Sequence, residues 1–368
     1  MNGTNSVQFT DKQYDALRQT YRKWWDGTLE RPIVPIVTTG HASNRKPSEN
    51  PLLNFATAWD TSIRPEQYMD AFDYQFSTQR WHGDAFPYIN TNGFGPGVLA
   101  AFLGCTPFST GRTVWFQPPR EDIPIEELHF EFDDQNPHWR RVVNIYEAAL
   151  EKWKGNVIMS TVDMGGTLDV LASFRGSENL LMDLYDDPDE VKRCLWEIHE
   201  MWFAYYNKII ELLGGTQKGY SQWFGTYCEK PSYILQCDFS YMISPDMFRE
   251  FVAEELAASA KQLDHPLYHL DGIGEINHLP QILDIDAIGG IQWVPGDGEP
   301  SLRNWDELLG TILDSGKKLV SWAQKPDGNP IDIAKNPGQL YFPTKTFHVD
   351  KLDEAKAYAD KYGIKIEL

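Results

Sequence analysis

Apolar positions along this chain follow two alternating rhythms, one of period 3.6 and one of short unbroken runs. In the N-terminal extension, residues 1–30, Leu17, Tyr21, Trp24 and Trp25 fall at i, i+4, i+7 and i+8, one stripe of an amphipathic helix. "RPIVPIVTTG" follows as a buried strand closed by Gly40. "GDAFPYINTNGFGPG" reads as a strand end running into a turn, and "NVIMSTVDMGG" as a buried strand stopped by two glycines. "DDPDEVKRCLWEIHEMWFAYYNKIIELL" predicts a long helix with Asp187 at the N-cap and Pro188 at the first helical position. "GYSQWFGTY" and "YILQCDFSYMI" are strand candidates, and "SPDMFREFVAEELAASAKQL" is a helix opened by Ser244 and Pro245. "PLYHLDG", "DAIGGIQWVPG" and "KKLVSWAQ" supply three more strands. "WDELLGTILDSG" and "DKLDEAKAYADKYG" supply helices ending near Gly316 and Gly363.

This pattern places strands near 33, 85, 157, 219, 233, 267, 287 and 318, with helices between most of them. The expected fold is α/β, a single (β/α)8 TIM barrel spanning 1–368. A doubly wound open sheet is the alternative, but no GxGxxG follows the first strand. Residues 106–140, rich in Pro and acidic side chains, interrupt the alternation as a long inserted loop, either a lid or a decorating hairpin.

Parallel barrel strands bring their C-terminal tips to one mouth, so the polar residues ending each run become the candidate site. His269 and Asp271 stand at i and i+2 and share a face, as a metal or acid/base pair must. Asp84 and Asp238 are the other acid candidates. His41, Asn90, Asp163, Tyr227, Gln236 and Gln292 would contact substrate, and Asp169 and Arg175 follow shortly after the third tip. Trp223, Trp293 and Trp322, at three separate tips, suggest an apolar wall. Each has a structural alternative: Asp238 and Asp163 in turns, the tryptophans in core packing, Cys228 and Cys237 as small buried hydrophobes. "GFGPG" and "DGIGE" lack P-loop spacing, which leaves the phosphate reading weak.

Charge narrows the partners. Against 33 Lys and Arg stand 53 Asp and Glu, a net −20, which disfavours nucleic acid and strongly anionic ligands. Four cysteines without a CxxC pair, no signal-peptide core and no long apolar span predict a cytoplasmic protein with reduced thiols and no membrane partner.

"GDAFPYINTNGFGPGVLAAFLGC", "DFSYMISPDMFREFVAEEL", "YHLDGIGEINHL" and "IGGIQWVPGDGEP" resemble the uroporphyrinogen decarboxylase superfamily, closest to its trimethylamine-corrinoid-related branch, over roughly residues 20 to 365. The resemblance implies a (β/α)8 barrel and two chemistries. True uroporphyrinogen decarboxylases hold an eightfold carboxylated tetrapyrrole with arginines of an early "RQAGR"-type motif. The matching "VTTGHASNRKP" lacks it. Corrinoid-linked methyltransferases bind zinc through a His-x-Cys pair and a distant Cys, and the zinc activates a thiol. Here the pair is His269-x-Asp271 and no Cys follows Cys237, so the resemblance leaves a harder zinc site of His269, Asp271 and Cys228. The leading expectation is methyl transfer between a small methylated substrate and a corrinoid protein or thiol. Metal-independent decarboxylation of a carboxylated ring and non-catalytic corrinoid or tetrapyrrole binding are the alternatives. Self-association as a homodimer is left open.

Overall fold

The computed structural model describes residues 6–296, 298–299, 305–320 and 336–366. The amino-terminal helix is Asp11–Trp25, capped by Thr10, whose hydroxyl accepts from Gln13 N while the Gln13 side chain accepts from Thr10 N. Its stripe of Tyr14, Leu17, Tyr21 and Trp24 is buried, and Trp25 stacks on His265 at 4.8 Å.

The first long strand, Pro35–Thr39, pairs in parallel with Lys345–His348 and antiparallel with Arg80–Gly83. Strands Tyr88–Ile89 and Ile158–Met159 pair in parallel, and Thr161 N donates to Ser221 O of the next strand, Tyr220–Ser221. A five-stranded parallel sheet follows, in the order Leu340–Tyr341, Lys318–Val320, Gly290–Val294, Leu267–Asp271, Ile234–Leu235. Ile33 bridges back to Tyr341. The result is a mixed α/β fold of mainly parallel strands with helices between them. Among the described residues the strand pairing stays in five separate sheets and does not run round a closed ring.

Several elements differ from the sequence expectation. Arg80–Gly83 is an antiparallel edge partner, and the parallel strand near 85 begins only at Tyr88. "YILQCDFSYMI" is strand only over Ile234–Leu235, then a 3-10 turn over Asp238–Met242. "SPDMFREFVAEELAASAKQL" is two helices, Pro245–Phe251 and Ala253–Lys261, and Ser244 caps the first. Pro188 does open the helix Pro188–Gly214, but the Asp187 side chain makes no cap hydrogen bond. Leu340–Tyr341 and Lys345–His348 were not expected. Runs this short carry no readable period, and their pairing is fixed by neighbours far away in the chain.

The 106–140 insertion is a hairpin, Thr106–Ser109 against Val114–Gln117, followed by irregular chain. It ends at Asn136, whose side chain caps the helix Pro137–Trp153, so residues 137–140 belong to that helix. Val114 and Phe116 are buried on the inner face, while Phe108 and Trp115 pair on the exposed one.

Candidate active site

Five parallel strands aim their C-terminal ends the same way, and the polar groups gather there. On Leu267–Asp271, Tyr268 and Leu270 are fully buried towards the helices, and His269 and Asp271 take the opposite face. The parallel register sets His269 beside Gln292, and Nδ1 lies 2.8 Å from Gln292 Oε1. Gln292 Oε1 can only accept, so Nδ1 carries the hydrogen and Nε2 faces the carboxylates. Asp271 Oδ2 is 3.6 Å from Nε2, an ion-pair distance rather than a hydrogen bond. Trp223 sets its ring edge-on to the imidazole at 5.3 Å. Burial alone would lower the His269 pKa, but Asp271, the charge on Asp238 and Gln292 together raise it.

Around His269 stand four more carboxyl groups. Asp163 is buried just past the strand Ile158–Met159 and accepts from Gly165 N at 3.1 Å. Burial first, and the Asp238 charge second, push it up to about 7. Asp169, near the start of the helix Thr167–Arg175, accepts from Gly166 N, Asp238 N and Phe239 N at 3.2, 3.1 and 2.7 Å. Burial and the nearby Asp238 charge raise its pKa despite those donors. Asp238 is exposed and lines a cavity. Burial raises its pKa against the pull of His269. Glu275 is fully buried, accepts from Asp271 N at 3.2 Å, and is held well above the carboxylate range by burial and Asp238. Burial and mutual repulsion thus raise the pKa of all four carboxyls.

Two local devices hold these groups in place. His278 stacks on Phe248 at 4.5 Å and its Nε2 bonds the Ser240 carbonyl at 2.8 Å, fixing the Asp238–Met242 turn. The glycines of "DGIGE" serve close packing: a Cβ at Gly274 would lie 2.7 Å from the Tyr241 ring, and Gly272 has a φ of +87°.

A cavity of about 710 Å³ opens beside the cluster. Gln236, Asp238 and Asp169 line it on one side, and Trp115, Phe116 and Gln117 of the inserted hairpin on the other. The insertion therefore walls the site.

Other expected site residues lie elsewhere. Asp84 is buried in a bidentate pair with Arg31 at 2.6 and 2.8 Å and accepts from Val34 N at 2.7 Å, at the start of the first strand rather than its tip. Tyr227 is buried against Tyr21 and Phe86 and donates to the Lys218 carbonyl at 2.7 Å. Trp293 alternates with Gln292 and so faces outward, packing on Trp305 at 5.3 Å. His41 shares the Thr38 hydroxyl with His82, at 2.8 and 2.9 Å, and burial lowers both imidazoles. Asn90 borders a separate cavity with Gln75 and Trp81. Trp322 lies outside the described residues.

The proposed zinc set does not converge. Cys228 is on the short strand Tyr227–Cys228 beside the Tyr220 strand, and burial pushes its thiol up to about 12, the opposite of what a thiolate ligand needs. Among the described residues no three His, Cys, Asp or Glu side chains gather to hold a metal ion.

Sequence reasoning placed Asp169 only near a tip and missed Glu275. The signal for Glu275 was a carboxylate four residues past Asp271 across two glycines, a spacing that lets it fold back onto the Asp271 amide.

No family model matches the chain, and no curated protein matches it. Among solved structures it is similar to a methyltransferase from Methanosarcina mazei, at 14% sequence identity and a TM-score of 0.55. The likeness covers 90% of this chain and 93% of that one, and it is a likeness of fold. No helix among the described residues is long and apolar enough to cross a membrane.

Proposed function

We propose that this chain is an enzyme of the methyltransferase type, on a (β/α)8-like arrangement whose strand tips form the site. It would move a methyl group from a small methylated donor to a reduced corrinoid carried by a partner protein, or to a thiol. The observation that carries the reading is the group of carboxyls Asp163, Asp169, Asp238 and Glu275, all with raised pKa, near His269, whose pKa is also raised, with Asp169 and Asp238 lining a cavity. The fold likeness to a methyltransferase supports it.

Methyl transfer breaks a carbon–heteroatom bond. The acceptor supplies the electron pair that takes the methyl group, and the heteroatom keeps the bonding pair and needs a proton. Asp238, which lines the cavity, is placed to hold or give that proton, and burial raises the pKa of its carboxyl. The Asp169 carboxyl, accepting from the Asp238 and Phe239 amides, fixes the turn that carries Asp238. His269, oriented by Gln292, offsets the carboxylate charge left behind and can return the proton. The hairpin, which lines the cavity, would limit bulk water at the reacting group.

The lining speaks against decarboxylation of a polycarboxylate. Arg175 is the cation beside the cavity, and both Nε and Nη2 are held by Asp183 at 2.6 and 2.9 Å. A lining without an uncommitted cation among the described residues, inside a chain of net charge −20, speaks against such a substrate.

The test is the whole protein with a reduced corrinoid or a thiol and a panel of methylated amines, alcohols, thioethers and aryl ethers, reading methylated acceptor and demethylated donor by mass spectrometry. Turnover with at least one donor, falling about 100-fold or more in Asp238→Asn and His269→Ala, is expected. No methylation with any donor, or full activity in both variants, would overturn it.

A further inference from the structure

A second cavity, of about 350 Å³, lies where the parallel series of strands is parted. The strand Pro35–Thr39 takes the antiparallel Arg80–Gly83 as its neighbour, while Tyr88–Ile89 pairs with Ile158–Met159 instead. Val37 and Trp81 are register partners on one face, and both line the cavity, as does Tyr88. Phe72, Gln75 and Phe76 of the helix Pro65–Ser77 close another side. None of these residues borders the first cavity.

Two properties of the lining define a ligand. The first is charge. The described lining residues include no Asp, Glu, Lys, Arg or His, in a chain of which 23% is charged. An ion entering such a space loses its water and gains no countercharge. The second is flat apolar wall combined with spare hydrogen-bonding capacity. Phe72, Phe76, Trp81 and Phe86 supply the rings. The Tyr88 hydroxyl makes no hydrogen bond among the described residues, and burial is what raises its pKa. Asn90 Oδ1 is taken by Asn92 N at 2.8 Å, while its Nδ2 has no partner among the described residues. A purely apolar ligand would leave both groups unanswered. Thr344 and Thr346, on the same lining, are exposed, so the cavity reaches the surface. Close-packed interiors hold few voids larger than a water molecule, and a cavity of this size is in the range of small-ligand sites.

We propose that this cavity is a second ligand site, for a neutral, flat aromatic molecule with a hydrogen-bonding oxygen or nitrogen, its ring among Phe76, Trp81 and Phe86 and its polar atom at Tyr88 and Asn90. The site goes beyond the methyl-transfer reading and stands or falls apart from it.

The test is calorimetric titration of the full chain with 2-naphthol, 2-naphthoate, 2-naphthylmethylammonium and decahydro-2-naphthol, which keep one carbon frame and change charge or flatness. The neutral aromatic alcohol is expected to bind at least about tenfold more tightly than either ion, and at least about threefold more tightly than the saturated alcohol. Tyr88→Phe should weaken 2-naphthol about three- to tenfold. Val37→Trp, which fills the cavity, should abolish its binding, and Trp115→Ala, in the wall of the first cavity, should leave it unchanged. Thermal unfolding of each variant checks that it is folded. Equal binding of either ion or of the saturated alcohol, or no 2-naphthol binding in the millimolar range, would overturn the proposal. So would undiminished binding in the folded members of Val37→Trp and Tyr88→Phe, or loss of binding in folded Trp115→Ala, which would put the probe in the first cavity.

Discussion

Replacing Asp163 with Asn should make the protein more stable and less active. Asp163 is 3% exposed and its carboxyl is pushed from the ordinary 3.8 to about 7, by burial first and by the Asp238 charge second. The folded state therefore holds a proton that the unfolded chain has already released. Stability linked to this group is intact below pH 3.8, falls as pH rises from 3.8 to about 7, and is flat above that. The shift is about 3 units, and at about 1.4 kcal/mol per unit the cost at pH 8 is on the order of 4 kcal/mol. About 2 units of it lie between pH 5 and pH 7, on the order of 3 kcal/mol. Asn keeps the oxygen that accepts from Gly165 N and cannot ionise, so it escapes this cost. Urea unfolding of wild type and Asp163→Asn at pH 5 and pH 8 measures it. The advantage of the variant should grow by about 2 to 3 kcal/mol between the two. Its turnover should fall, because the proton store is smaller. Parallel pH dependence in the two proteins would refute the assignment of a buried, proton-holding carboxyl at this position.

Two further outcomes follow from the same geometry. Gln292→Leu leaves the His269 Nδ1 hydrogen without its acceptor; turnover should drop about tenfold or more, with a stability loss of about 1–3 kcal/mol, and Gln292→Glu should restore the tautomer and part of the rate in steady-state assays. Arg31→Ala strands the buried Asp84 carboxylate and should cost about 3–5 kcal/mol in urea unfolding, with turnover per folded molecule unchanged; lost turnover in folded protein would return Asp84 to the chemistry.

The uneven success of the sequence reading has a common cause. His269 and Asp271 were legible because a strand puts i and i+2 on one face whatever surrounds it. The same rule, applied one residue later, should have turned Trp293 away from the site, since Gln292 beside His269 leaves its neighbour facing the helices. Asp84 looked like a tip because "HGDAF" reads as a strand end; the strand there is an antiparallel edge, and its partner Arg31 lies 53 positions back. Cys228 and Tyr227 sit on a short strand that a single sequence does not resolve from a turn. The expected kinship with the uroporphyrinogen decarboxylase superfamily is not shown: the chain is similar in fold to a methyltransferase, and no family model matches it.

By itself the sequence determined what is local: the amphipathic stripe of Leu17, Tyr21 and Trp24, the cap at Ser244, the alternation of strand and helix, and the shared face of His269 and Asp271. Tertiary structure alone decided which tips meet. Asp163, Asp169, Asp238 and Glu275 come together from four segments up to 112 positions apart (275 − 163), and the inserted hairpin closes the cavity beside them. It also decided their charge. A side chain's period follows from its own backbone, but its proton is held or lost according to the water and the neighbouring charges that distant parts of the chain remove or supply.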